Sequence, residues 1–156
     1  MQKIIPFAVS GVLALALAGT ATAQVKPEDQ IKYRKAAYSF ASWNMGKIKA
    51  NLDGAYDAAQ VKAAANAIAA VAGSGLGALF GPGTEKAIGE QKTAVKPEMF
   101  QKERGAEVGK LAGDFAAAAA ALAQAAESGD AAKVKPAFGQ VGQTCKACHD
   151  QFKSRN

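Results

Sequence analysis

Apolar residues recur along this chain at spacings of three and four, and no stretch sustains the apolar/polar alternation of a half-buried strand. Four helical segments follow from that pattern. The first opens at Lys26-Pro27-Glu28-Asp29, carries Ile31, Ala37 or Tyr38, Ala41 and Met45 at helical spacing, and ends near Lys49. Proline suits a first turn, where its missing N–H has no helical acceptor, and the two acids suit the positive end of the helix dipole. The second runs from about Ala55, after Asp53-Gly54, to Ala72, with Val61, Ala64, Ala65, Ile68, Val71 and Ala72 as its buried stripe. A Gly-rich connection from Gly73 to about Lys96 contains Gly81-Pro82-Gly83, which no helix should cross. The third helix restarts at Pro97-Glu98 and continues to Ala126, with Ser128-Gly129 closing it. The fourth spans about Asp130 to Lys153. Its face is Val134, Phe138, Val141, Cys145, Cys148 and Phe152, and Pro136 predicts either a later start or a bend.

Four amphipathic helices in one compact domain make an all-α, antiparallel four-helix bundle. Their apolar faces are rich in alanine, which favours helix but buries little area per residue. A large apolar cofactor in the core would help to compensate. Gly105, Gly109 and Gly113 stand four apart in the third helix, and each costs about 1 kcal/mol relative to alanine. Close approach of another helix or a flat ligand would explain them; a tolerated lapse in an alanine-rich helix is the alternative.

The N-terminus sets the compartment. Lys3 precedes an apolar run from Ile4 to Ala18, and Ala21-Thr22-Ala23 offers small residues for cleavage before Gln24. The run is shorter than the roughly 20 residues of a spanning helix, so residues 1–23 read as a secretory signal peptide and 24–156 as one domain. No membrane attachment is expected after cleavage. The net charge of +6, one unit of which leaves with Lys3, is spread among acids, which favours a solvated surface over a nucleic-acid patch.

Two cysteines are too few for a disulfide framework, but they carry the chemistry. Cys145-Lys146-Ala147-Cys148-His149 is a C-x-x-C-H haem-attachment signature. Each thiol adds to one porphyrin vinyl group, and the histidine is then held on the iron's proximal side. On a helix, residues three and four apart share a face, so Cys145, Cys148 and His149 project together. A redox dithiol would usually open a helix in a βαβ unit, and no strand is predicted. A structural zinc site needs four ligands, and the chain has two cysteines and one histidine. A haem c bound through Cys145 and Cys148, with His149 on the iron, is the reading that agrees with export. With His149 used, a sixth ligand would have to be Met45, Met99 or a deprotonated lysine; otherwise the iron is five-coordinate and open to a small gas.

The chain resembles the cytochrome c' family across nearly the whole mature sequence. The resemblance is carried by Lys26-Pro27-Glu28-Asp29, Tyr33-Arg34, Phe80-Gly81-Pro82-Gly83-Thr84 and Cys145-Lys146-Ala147-Cys148-His149-Asp150. The attachment motif at the C-terminal end of the last bundle helix is its most specific part. The resemblance implies a periplasmic protein, a homodimer, and a high-spin five-coordinate haem that binds nitric oxide and carbon monoxide. It also implies that Arg34 neighbours a haem propionate, that Tyr38 sits over the iron without ligating it, and that Phe80 lines the distal pocket. The same resemblance implies that Lys153 neighbours the proximal imidazole. Low-spin relatives place a methionine where this chain has Tyr38, which argues for the open site. The sequence departs from the family in the small residues at Gly75 to Gly77, which would widen the distal cavity, and in Pro136.

Three functions compete on this reading. The first is a gas-binding haem protein. The second is an electron carrier whose lysine-ringed haem docks an acidic periplasmic redox partner. The third, a peroxidase, needs a distal acid-base group, for which a tyrosine with a pKa near 10 is poor. The chain is therefore expected not to be an enzyme. The alternative within the same fold is a six-coordinate, low-spin electron-transfer cytochrome with a methionine ligand.

Overall fold

The computed structural model describes residues 25–154, so the expected signal peptide lies outside the described residues. Four α-helices build the domain: α1 (Pro27–Asp53), α2 (Ala58–Ala72), α3 (Gly105–Glu127) and α4 (Ala131–Phe152). They pack in sequence as an antiparallel bundle. The α1/α2, α2/α3 and α3/α4 seams are extensive, while α1 and α4 touch only sparingly.

Local chemistry explains the boundaries. Pro27 takes the first turn of α1 with Glu28 and Asp29 beside it. The helix continues past Lys49 because Asn51 fastens its last turn, donating to Lys47 O at 3.0 Å and to Gln60 Oε1 at 2.6 Å. Asn51 Oδ1 also accepts from Asp57 N at 2.7 Å, holding Asp57 in place to cap α2 through Ala59 N and Gln60 N. That cap moves the start of α2 from the expected Ala55 to Ala58. Gly129 turns the chain at φ +66° and Asp130 caps α4 by accepting from Ala132 N. Pro136 therefore lies inside a helix that already runs from Ala131, and the later start expected from it does not occur.

The third helix differs most from expectation. From Pro97 the chain makes two 3-10 turns, Pro97–Phe100 and Lys102–Arg104, separated by an extended Gln101, before α3 begins at Gly105. The tail of α4 competes for this backbone. Lys96 N donates to Phe152 O at 2.9 Å, and Ser154 N donates to Ala94 O at 2.8 Å. Arg104 lies over the Phe152 ring at 4.8 Å and donates to Gln151 Oε1 at 2.7 Å.

The core is Ile48, Val61, Ala64, Ala65, Ile68, Ala119, Leu122, Ala126, Val134 and Val141, with Met45, Phe115, Phe138 and Cys145 packed against it. Each fully buried branched side chain contributes about 1.5–3 kcal/mol, and the alanines let the helices approach. The α3 glycines serve no such approach: a Cβ at Gly105, Gly109 or Gly113 would meet nothing within 4 Å. Helix α1 is apolar on two sides, since Tyr33, Phe40 and Trp43 are exposed opposite its core positions. No helix among the described residues is long and apolar enough to cross a membrane.

Candidate cofactor site

The sparse α1/α4 seam is where the chemistry collects. Cys145 and Cys148 lie on α4, both half-buried, and their thiols are free. Burial pushes both thiols above the ordinary range, and Cys145 raises Cys148 further. His149 follows, with its pKa lowered by burial and then by the Lys153 charge, against an opposing pull from Asp150. Lys153 is the C-cap of α4, donating its backbone N–H to His149 O at 3.1 Å. The motif thus stands in the last turns of a helix whose end is tied to the segment before α3.

Tyr38 faces these cysteines from α1. Burial, then the charges of Cys148 and Cys145, push its phenol up to about 12, while Arg34 pulls the other way. Its ring meets Phe80 edge-on at 6.3 Å between centroids and lies tilted against Phe115 at 6.4 Å. An aromatic wall from α1, the 73–96 connection and α3 therefore stands opposite the two thiols. Phe115 was not singled out by the sequence reading; it is the only aromatic of α3, and nothing in its local pattern marks it.

Arg34, one turn before Tyr38, is 3% exposed. Its guanidinium donates to Leu79 O at 3.2 Å, Thr84 Oγ1 at 2.7 Å, Thr84 O at 2.5 Å and Thr93 Oγ1 at 2.5 Å. It also lies 5.0 Å from the centroid of the Phe80 ring. Burial lowers its pKa, and Tyr38 and Glu85 oppose that shift. The turn after Phe80 is built for close approach. Gly81 N donates to Gln30 Oε1, and a Cβ on Gly81 would come within 2.6 Å of that oxygen. Gly83 then adopts φ +91°, which a side chain would strain. Gly75, at φ +80°, precedes the 3-10 turn Leu76–Leu79, and a Cβ on Gly75 or Gly77 would meet nothing within 4 Å.

Met45 packs against the core, and Met99 sits in the 3-10 turn before α3. The donor set fits a haem. Two thiols and an imidazole share one helix end, Tyr38 couples to both thiols from α1, and the buried Arg34 lies against the Phe80 ring. Among the described residues no three His, Cys, Asp or Glu side chains converge as a cage for a bare metal ion.

Comparison with known proteins follows the same lines. The family model for cytochrome c' matches residues 29–153. Cytochrome c' of Allochromatium vinosum is 53% identical over 156 residues, covering 99% of this chain and all of its own 100%. A solved cytochrome c' with an unusual ligand-controlled dimer dissociation superposes with a TM-score of 0.81 at 56% identity, covering 84% of this chain and 98% of its own. A nitric oxide complex of a mutant cytochrome c' from Alcaligenes xylosoxidans superposes with a TM-score of 0.73 at 33% identity, covering 85% and 98%.

Proposed function

The chain belongs to the cytochrome c' family, and from that premise we propose that it is a periplasmic cytochrome that takes nitric oxide or carbon monoxide on an open distal side. Its cofactor is one covalent haem c. When bound, the haem supplies an iron that changes oxidation state and accepts small axial ligands.

The protein's part is attachment and exclusion. Cys145 and Cys148 carry the two thioether links, and His149 presents the proximal imidazole. Burial and then the Lys153 charge lower the pKa of that imidazole, a shift toward the neutral form that binds iron. Tyr38, Phe80 and Phe115 form the distal wall, which admits a diatomic and resists larger molecules. The guanidinium of Arg34 spends its Nη donors on the connection, leaving Nε–H for a propionate. A phenol held near 12 is a poor proton donor or acceptor at neutral pH, so Tyr38 supports ligand binding rather than peroxide cleavage.

The observation that carries this reading is Tyr38 opposite Cys148 and Cys145 across the α1/α4 seam. On this reading Tyr38 covers the distal side without ligating the iron, and Met45 packs against the core cluster instead of supplying a sixth ligand. An absorption spectrum of the reduced holoprotein, before and after nitric oxide, tests it. High-spin bands that change on adding the gas are expected; sharp low-spin bands beforehand would mean a six-coordinate electron carrier. Mass spectrometry of the exported protein should show a chain beginning at Gln24 with one tetrapyrrole and no free thiol.

The exposed Tyr33, Phe40 and Trp43 on α1 suit a homodimer interface, since large aromatics are enriched in such surfaces. Tyr38 lies on the same helix. A gas that displaces Tyr38 therefore acts on the element that carries the interface, the arrangement needed for ligand-controlled dissociation. Electron exchange with a periplasmic partner remains compatible with this role.

A further inference from the structure

Arg34 holds four acceptors spread over residues 79 to 93, and its guanidinium also lies over Phe80. A charge placed only to meet a propionate would not spend all of its Nη donors on the protein in this way. Leu79 O and the Phe80 ring are adjacent on the chain, so the same guanidinium fixes the backbone before Phe80 and the face of its ring. Phe80 in turn meets Tyr38 edge-on. Thr84 Oγ1 donates to Gly81 O at 2.8 Å, and Thr93 Oγ1 also accepts from Val95 N at 3.2 Å. The clamp therefore reaches both ends of the turn carrying Phe80. From the other side Gln30 accepts from Gly81 N, so α1 holds this turn at two points one helical turn apart.

We propose that Arg34 is a positioning residue for gas binding: by clamping the 79–93 segment to α1 it keeps Phe80 against Tyr38 and so sets the resistance of the distal wall. This rests on the haem reading above. Arg34 acts through Phe80, and a lysine in its place keeps the charge but cannot span four acceptors or stack as a plane.

The experiment combines two readouts on the holoprotein. The first is limited trypsin digestion at Lys86 and Lys92, both exposed within the clamped segment. Arg34→Lys should be cut there faster than wild type; equal rates would overturn the clamp without reference to the haem. The second is carbon monoxide affinity for wild type, Arg34→Lys, Phe80→Ala and the double variant. Arg34→Lys should raise affinity roughly two- to tenfold, the span that an edge-on aromatic pair is worth. That gain should vanish in the Phe80→Ala background, with the reduction potential unmoved. An equal gain in both backgrounds, or a shifted potential with unchanged affinity, would overturn the proposal and leave Arg34 a propionate neighbour only. If Arg34→Lys does not fold, Thr93→Val removes one acceptor and leaves the guanidinium; it should move both readouts the same way by less, and no movement would overturn the proposal. Wild-type protein whose spectrum ignores carbon monoxide would instead defeat the underlying haem reading, a result visible before any variant is made.

Discussion

The rings of Tyr38 and Phe80 meet edge to face, 65° apart in plane and 6.3 Å between centroids. They come from α1 and from the Gly-rich connection, so the wall they make depends on long-range packing. Phe115 supports Tyr38 from a third element. Removing the phenol ring opens the side of the seam facing Cys145 and Cys148. Tyr38→Ala should therefore raise carbon monoxide affinity by about tenfold or more, since a bound ligand no longer has to displace a packed ring. Equilibrium titration of the reduced protein measures it, and an affinity matching wild type would rule out steric control by Tyr38.

Tyr38 is 41% exposed overall, but desolvation of its phenol among these rings has a consequence for pH. The phenol of Tyr38 is pushed up to about 12 from an ordinary 10.0, first by burial and then by the charges of Cys148 and Cys145. With both sulfurs in thioether links those charges disappear and burial remains, so the direction persists. A folded pKa above the unfolded one means that the folded chain holds the proton longer. The stability this contributes is whole below the unfolded pKa and is lost as pH rises through the folded one. Ultraviolet difference titration should show a phenolate forming late, and Tyr38→Phe should delete that step. The variant's stability should also fall less steeply at alkaline pH; a phenolate appearing at the ordinary pH would remove burial as the cause.

Much of this architecture is legible in the sequence because it is local. The C-x-x-C-H spacing and the 134–152 stripe need only a helix, and the structure buries Val134, Val141 and Phe152 as that stripe requires. Asp130 and Pro27 mark helix starts by the side-chain chemistry of single turns. What escapes is non-local. Pro97 looks like a helix start, yet the backbone there is drawn to Phe152 O and Ala94 pairs with Ser154, contacts more than fifty residues away in sequence. Arg34, Tyr38 and Phe80 are marked by family resemblance alone, since no spacing joins them. Thr93 and Phe115 carry no pattern at all: one is a loop threonine, the other an aromatic in a run of alanines. The α3 glycines carry a regular spacing, yet a Cβ at Gly105, Gly109 or Gly113 would meet no protein atom within 4 Å.

The coordination state separates the gas binder from the six-coordinate alternative. Met45 packs against the core cluster formed by Ile48, Leu122 and Val141, among others. Leucine conserves most of that volume, so Met45→Leu should cost less than about 1.5 kcal/mol of stability. On the five-coordinate reading the thioether of Met45 does not hold iron, so the reduced absorption spectrum should stay that of wild type. A low-spin wild-type spectrum that turns high-spin in Met45→Leu would make this chain an electron carrier with a methionine ligand.

The outer face of α1 supplies the last test. Phe40 and Trp43 are 48% and 58% exposed, their rings stand 5.6 Å apart, and Lys47 lies over the Trp43 ring at 3.9 Å. Exposed large aromatics clustered on one helix match the residue types enriched at interfaces. Truncating such an anchor typically costs about 2 kcal/mol or more, which is roughly thirtyfold in affinity. Trp43→Glu adds a charge that the interface would have to bury, so the loss should be larger. Sedimentation should show wild type as a dimer at micromolar concentration and Trp43→Glu as a monomer. The haem spectrum should not change, because Trp43 points away from the side of α1 that carries Tyr38. Adding carbon monoxide to wild type should then lower the dimer fraction, and Tyr38→Ala should weaken that response, since its ring is the part of α1 a ligand would push. A wild-type monomer at every concentration would dispose of the interface, whereas a dimer indifferent to carbon monoxide would keep the interface and cut its link to Tyr38.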